Sequence, residues 1–211
     1  MNESIRILLA DDHAVVRAGI RQFMESAPGL SVIAEADDGE MACRLIAAHQ
    51  PDVAVIDIQM PKLTGIEVVR WSKTNYPAVG LLILTAYDDD PYVQAGLAAG
   101  ANGYILKTAA PSLMIQAVHD VNEGKQILDP MIRARAVTMV TVYEPLSERE
   151  QEVLALAARG YTNKAISVQL FISDRTVQGH LARIYEKLQA STRTEAVMRG
   201  ISMGLISTPS S

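Results

Sequence analysis

Five short apolar runs, each followed by an amphipathic stretch, restrict this chain more than any other feature. The runs "IRILLA", "SVIAEA", "VAVID", "GLLILTA" and "GYILK" are rich in Val, Ile and Leu and bounded by Asp, Gly or Pro, as strands are. After them come "AVVRAGIRQFMESA", "GEMACRLIAAHQ", "GIEVVRWSKTNY", "DPYVQAGLAAG" and "APSLMIQAVHDVNEG", whose apolar residues recur every three or four positions, as on helices. Five βα units in succession predict a five-stranded parallel sheet with right-handed crossovers and helices on both faces, over residues 1–125.

The alternation stops after Gly124. Residues 126–145 have no clean period and contain Pro130 and Pro145; they read as a linker, with a short helix expected near Met131 to Met139. Residues 146–208 read as an all-α unit of four helices. "LSEREQEVLALAARG" starts with a capping box, Ser147 and Glu150, and stops at Gly160 as the residue past the helix end. "NKAISVQLF", "DRTVQGHLARIYEKL" and "RTEAVMRGISMGLI" follow, the last preceded by a second candidate capping box, Thr192 and Glu195. The tail "STPSS" is expected to fray.

A length of 211 residues suits two small domains, and 49% hydrophobic with 20% charged residues excludes a disordered chain. No apolar run approaches the roughly 20 residues of a membrane span, and "MNESIR" lacks the basic-then-apolar start of a signal peptide. A cytoplasmic protein without a membrane partner is expected. Cys43, the single cysteine, cannot form an internal disulfide and sits in "EMACRLIAA", which predicts a buried structural position. Charge is divided unevenly: residues 1–145 sum to −7 and residues 146–211 to +2. A nucleic-acid role for the basic part is admissible, but +2 is too little to argue one alone.

In a parallel sheet all strands finish at one edge, where ligands bind at the point of strand-order reversal. Asp11 and Asp12 follow the first strand, Asp57 the third, Thr85 the fourth and Lys107 the fifth. In a flavodoxin-like 2-1-3-4-5 order, the reversal lies between the two strands that carry the aspartates. A lone aspartate pair after a strand is an ordinary turn or helix cap. Three carboxylates together, however, raise one another's pKa unless a cation offsets them, and an oxygen-only set suits Mg²⁺, with Mn²⁺ as the alternative ion. Lys107 and Thr85 then complete a seat for a tetrahedral phosphoryl group, and Asp57 becomes the nucleophile, forming an acyl phosphate.

"LLADDH", "VIDIQMPKLTGIEVV", "ILTAY" and "GYILKT" match, in order and spacing, the motifs of response-regulator receiver domains, which residues 5–125 therefore resemble. The resemblance implies a CheY-like fold and phosphorylation of Asp57 by a sensor histidine kinase. It implies Mg²⁺ ligation by Asp12, Asp57 and the Gln59 backbone carbonyl, with Asp11 acting through water. Thr85 and Tyr104 would form the switch pair, the ring turning inward as the hydroxyl moves to the phosphoryl group. Ala86 would leave a path for the kinase's phosphohistidine, and Gln59 and Tyr87 occupy positions that influence dephosphorylation. His13 reads as the start of the first helix rather than as a catalytic base.

"NKAISVQLF", a turn at Ile172 and Ser173, and "DRTVQGHLARIYEKL" have the layout of a helix-turn-helix. Val177, Leu181, Ile184 and Leu188 make a buried stripe on the second helix. The opposite face presents Arg175, Gln178, Gly179, Ala182 and Glu186, flanked by Thr176, Arg183 and Lys187. Gln178 can bond an adenine edge bidentately, and Gly179 and Ala182 leave room for close approach in a major groove. Lys164, Ser173 and Thr176 are suitable phosphate ligands near helix N-termini. Residues 146–207 resemble the LuxR/NarL-type DNA-binding domain through "LSEREQEVLALAARGYTNKAIS", "ISDRTVQGHLARIYEKL" and "RTEAV". That resemblance implies recognition of double-stranded promoter DNA by the helix from about Asp174, and homodimer contacts through the helix at about 193–206. RNA polymerase is a further candidate partner. Gln178 stands where the family commonly has lysine and Ala182 is uncharged, so the salt-dependent part of DNA affinity should be smaller.

The whole reads as a two-domain regulator of the NarL/FixJ type, switched in dimerisation and DNA binding by phosphorylation. Its own chemistry would be limited to Mg²⁺-dependent self-phosphorylation and slow autodephosphorylation. A Mg²⁺-dependent aspartyl-phosphate hydrolase, the enzymatic alternative, needs a second acid two residues past the nucleophile, where this chain has Gln59. A third reading, DNA binding with a receiver used only to dimerise, leaves the Asp11, Asp12, Asp57, Thr85 and Lys107 set without a purpose.

Overall fold

Strand and helix alternate through the first half of the computed structural model, which describes residues 4–86, 90–130 and 144–206, less the side chains of Asp90 and Pro91. The order is β1 (Ile5–Ala10), α1 (Ala14–Ser26), β2 (Leu30–Ala36), α2 (Gly39–His49), β3 (Val53–Ile56), α3 (Gly65–Asn75), β4 (Gly80–Thr85), α4 (Asp90–Ala98), β5 (Gly103–Leu106), α5 (Pro111–Asn122) and β6 (Ile127–Leu128). Every strand pairing is parallel, in the order β2-β1-β3-β4-β5-β6. Helices α1 and α5 cover one face, over Ile7, Leu9, Val55, Leu82 and Ile105. Helices α2, α3 and α4 pack on the other side. β3, β4 and β5 are buried along their whole length, as central strands of a doubly covered parallel sheet must be.

The sheet has six strands, not the five expected from the pattern. β6 falls inside the stretch assigned to the linker and pairs with Gly103 and Tyr104 of β5. Asp129, just beyond it, is buried, donates its N–H to Tyr104 O at 2.9 Å and accepts the Leu106 N–H at 3.3 Å. The short strand thereby closes the open edge of β5. Two residues are too few to carry a period, so it left no pattern to read.

The chain divides into two compact units, Met1–Val140 and Thr141–Ser211. In the second, α6 (Glu148–Ala158), α7 (Asn163–Leu170), α8 (Asp174–Lys187) and α9 (Arg193–Ser202) surround Val153, Leu154, Ile166, Val177, Leu181, Ile184, Leu188, Ala196 and Met203. Ser147 and Glu150 form the expected capping box, and Gly160, at φ +80°, takes the left-handed position past the end of α6. At α9, Thr192 accepts the Glu195 N–H, but the Glu195 carboxylate accepts from Ser191 N at 2.8 Å rather than closing a simple box. A capping box not foreseen, Thr64 with Glu67, starts α3. The helix expected near Met131 to Met139, Tyr87 and the tail 207–211 lie outside the described residues. Among the described residues no helix is long and apolar enough to cross a membrane.

Candidate functional site

The register of β1 and β3 brings Asp11 and Asp57 together: Leu9 pairs with Val55 and Ala10 with Ile56, so both chains leave the sheet side by side. Asp57 N–H donates to Ala10 O at 2.8 Å and Asp11 N–H to Ala36 O at 3.1 Å. On the other flank Lys107 N–H donates to Thr85 O at 2.7 Å, which sets the lysine at the end of β5. Its ammonium lies 2.7 Å from Asp11 Oδ2 and 3.0 Å from Asp57 Oδ2. The remaining carboxylate oxygens take main-chain donors, Ile58 N–H on Asp57 Oδ1 at 2.8 Å and His13 N–H on Asp11 Oδ1 at 2.9 Å. Gly65 is needed beside the site, because a Cβ there would lie 2.0 Å from Asp57 O.

Asp11 and Asp57 are 1% and 4% exposed, so one lysine serves two buried carboxylates. Burial pushes the Asp57 carboxyl up to about 6; the Lys107 charge opposes the rise and Asp11 adds to it. Burial also works against the Lys107 ammonium, but its bonds to Asp11 and Asp57 outweigh that and raise its pKa. Ligand atoms of Asp11, Asp12, His13 and Asp57 all lie within 4.8 Å of one another. This under-neutralised, carboxylate-dominated set fits a hard divalent cation.

His13 occupies the N-cap position of α1 without capping it; its Nδ1 lies 2.6 Å from Asp12 Oδ1 instead. Its place at the helix start was legible from sequence and its contact with Asp12 was not. Thr85 is fully buried as the last residue of β4, and Tyr104 is fully buried on β5, in register with Ile83. Gly96 of α4 makes room for Ile83 beside the Tyr104 ring: a Cβ there would be 2.6 Å from Ile83 Cδ1, but in ordinary contact, 3.5 Å, with Tyr104 Cε2. Ala86 is exposed and Gln59 half-buried. Cys43 is buried on α2, and that burial raises its thiol to about 11, in keeping with a structural role.

In the helical unit, α8 buries Val177, Leu181, Ile184 and Leu188 and exposes Arg175, Thr176, Gln178, Gly179, Ala182 and Arg183, as the spacing predicted. Lys164 is exposed in the first turn of α7. Ser173 caps α8 by accepting the Thr176 N–H at 3.0 Å, and its hydroxyl is 2.8 Å from that of Thr176. Gln178 Nε2 donates to Asp174 Oδ2 at 2.9 Å, which leaves its second N–H and its Oε1 open to solvent-side partners.

Lys187 corrects the sequence reading. It does not extend the outer face; its ammonium lies 2.9 Å from Glu150 Oε2 and 3.2 Å from Pro145 O. Its side chain is 13% exposed and, at the edge of the buried stripe of α8, faces α6 instead of solvent. Burial pushes the Glu150 carboxyl up, but Lys187 and the Ser147 N–H outweigh it and hold the group below its ordinary value.

Comparison with known proteins agrees with this architecture. Residues 7–119 match the response regulator receiver domain, and residues 144–199 match the bacterial regulatory proteins of the luxR family. The chain is 34% identical to the transcriptional regulatory protein DegU of Brevibacillus brevis, over 98% of this chain and 97% of that one. Among solved structures it is similar to the response regulator ChrA of a heme-sensing two-component system, at 40% identity and TM-score 0.56, covering 96% of this chain and 99% of that one. A structure of two RcsB dimers bound to two parallel DNAs matches with TM-score 0.73 at 25% identity, covering 95% and 99%. The chain belongs to the two-component response regulators that join a receiver to a LuxR-type DNA-binding domain.

Proposed function

We propose that Asp57 is the phosphoacceptor and that its phosphorylation controls dimerisation and promoter binding by the helical unit. The observation that carries this is the pairing of two buried carboxylates with one ammonium, Asp11 and Asp57 on Lys107, at the strand ends. A sensor histidine kinase supplies the phosphoryl group: an Asp57 oxygen forms the new P–O bond as the P–N bond of phosphohistidine breaks. Asp12, Asp57 and the Gln59 carbonyl would hold Mg²⁺ (or Mn²⁺) directly and Asp11 through water; the ion, when bound, offsets carboxylate repulsion and phosphoryl charge. Lys107 holds one phosphoryl oxygen and Thr85 donates to another, with Tyr104 beneath coupling the hydroxyl's movement to the α4 face. The nucleophile must be ionised, and at about 6 the Asp57 carboxyl is so at neutral pH.

DNA contact falls to α8. Gln178 and Gly179 face base edges, Arg175, Thr176 and Arg183 flank them, and Lys164 and Ser173 meet phosphates. Two copies joined through α9 would engage two half-sites, with RNA polymerase as a further contact at the promoter. The protein acts in the cytoplasm and turns over no substrate beyond its own acyl phosphate. The test combines labelling with acetyl phosphate and Mg²⁺, solution mass and DNA binding, on the parent and Asp57→Asn. The parent should label, dimerise and bind more tightly. Equal labelling and dimerisation of Asp57→Asn would sink the proposal.

A further inference from the structure

The loop from Asp57 to Gly65 carries the expected metal-facing carbonyl, Gln59, and is held by contacts that the phosphoacceptor chemistry does not use. Leu63 N–H donates to Pro61 O at 2.9 Å across Lys62, whose φ is +68°. This is a three-residue γ-turn of the positive-φ kind, rare and strained for any residue with a side chain. Glycine would adopt it without strain, so the position supplies something other than backbone freedom. Lys62 Nζ reaches 2.5 Å from Asp38 Oδ2 and 3.8 Å from Glu40 Oε2. Asp38 is 8% exposed and caps α2 with its other oxygen, which accepts the Met41 N–H at 2.7 Å.

The two loops also touch along their main chains. Pro61 O accepts the Gly39 N–H at 3.1 Å, and a Cβ on Gly39 would lie 2.1 Å from Leu63 O. At the far end Gly65 N–H donates to Ile58 O at 2.8 Å. Gln59 is therefore suspended between an anchored strand end and a strained turn. The Lys62–Asp38 pair, which clasps that turn to the N-terminus of α2, resists its relaxation.

We infer that Lys62 is a positioning residue for the metal side of the site: its clasp on Asp38 keeps the Asp57–Gly65 loop in the shape that presents Gln59 to the cation. The inference rests on the metal reading above and adds a residue outside the acidic cluster. It also has a sign that a simple charge effect lacks. Removing a positive charge near a cation site tightens binding through space, whereas loss of the clasp weakens it.

The experiment measures Mg²⁺ affinity of the unphosphorylated full chain by titration calorimetry, together with exchange of the Gly39 amide proton. Lys62→Met should bind Mg²⁺ roughly tenfold more weakly, as when a group supporting a metal ligand is lost, and the Gly39 amide should exchange faster. Lys62→Arg, which keeps the ion pair, should restore both. In a cycle with Asp38→Asn, which preserves the α2 cap, the double variant should be no weaker than the weaker single one. Parent-like or tighter binding by Lys62→Met, or additive losses in the cycle, overturns the inference. Asp12→Asn separates the two levels: if it binds Mg²⁺ as the parent does, the metal reading itself falls and the clasp with it.

Discussion

Replacing Asp57 by Asn should stabilise the receiver unit in the absence of metal, although it removes the central residue of the site. The carboxyl is 4% exposed, and burial pushes it from its ordinary 3.8 to about 6. Below the lower value the group is protonated in folded and unfolded chains alike. Between the two the folded chain holds a proton that the unfolded chain has released, so stability falls as pH rises through this window. Above it the ionised carboxylate weighs against folding by about 3 kcal/mol, at 1.36 kcal/mol per pH unit. Asn removes that penalty but gives up the 3.0 Å ion pair with Lys107, which keeps Asp11 at 2.7 Å. That ion pair is already counted in the penalty, since the Lys107 charge opposes the rise, and the net gain at pH 7.5 should be about 1–2 kcal/mol once the cost of burying the amide in its place is set against it. Urea unfolding followed by Trp71 fluorescence reports on this unit alone, since the chain's single tryptophan lies in α3. In EDTA, Asp57→Asn should have the higher midpoint and a flatter dependence between pH 4 and 6. Saturating Mg²⁺ should reverse the order, since a ligand at a hundred times its Kd adds about 2.7 kcal/mol to the form that binds it. A variant no more stable than the parent in EDTA at pH 7.5, or one with the parent's pH slope, would refute burial as the dominant effect.

Lys107→Gln should lose about 3 kcal/mol in EDTA, because two buried carboxylates are left without a cation, and should recover part of it in Mg²⁺, as the same urea titration would read. Gly65→Ala should cost ~3 kcal/mol and slow labelling by acetyl phosphate, given a Cβ placed 2.0 Å from Asp57 O. Gly179→Ala meets nothing within 4 Å; thermal unfolding should show it about 1 kcal/mol more stable, the usual helix gain, while DNA titration shows weaker binding. Lys187→Ala should destabilise the helical unit by about 3 kcal/mol and leave the salt dependence of DNA binding unchanged, since its partner Glu150 is buried. Lys164→Ala should do the reverse, keeping stability and lowering the salt slope by ~1.

Sequence alone determined the order of the βα units, the helix caps at Ser147 and Thr192, the buried stripe of α8 and the placement of Asp11, Asp57 and Lys107 at strand ends. These follow from short apolar runs, from the 3.6-residue period of helices and from short-range capping, all of which are set within a few positions of the chain. Even the site was legible, because parallel strands all end at one edge. The tertiary structure alone decided the rest. β6 exists because β5 had an open edge for two residues to close. Lys187 turns inward because Glu150, 37 positions away, is buried against it. The displaced pKa of Asp57, the contact of Gly65 with its carbonyl and the clasp of Lys62 on Asp38 likewise depend on which distant groups share a confined volume. Charge, burial and backbone proximity between remote segments have no period, so no pattern in the chain announces them.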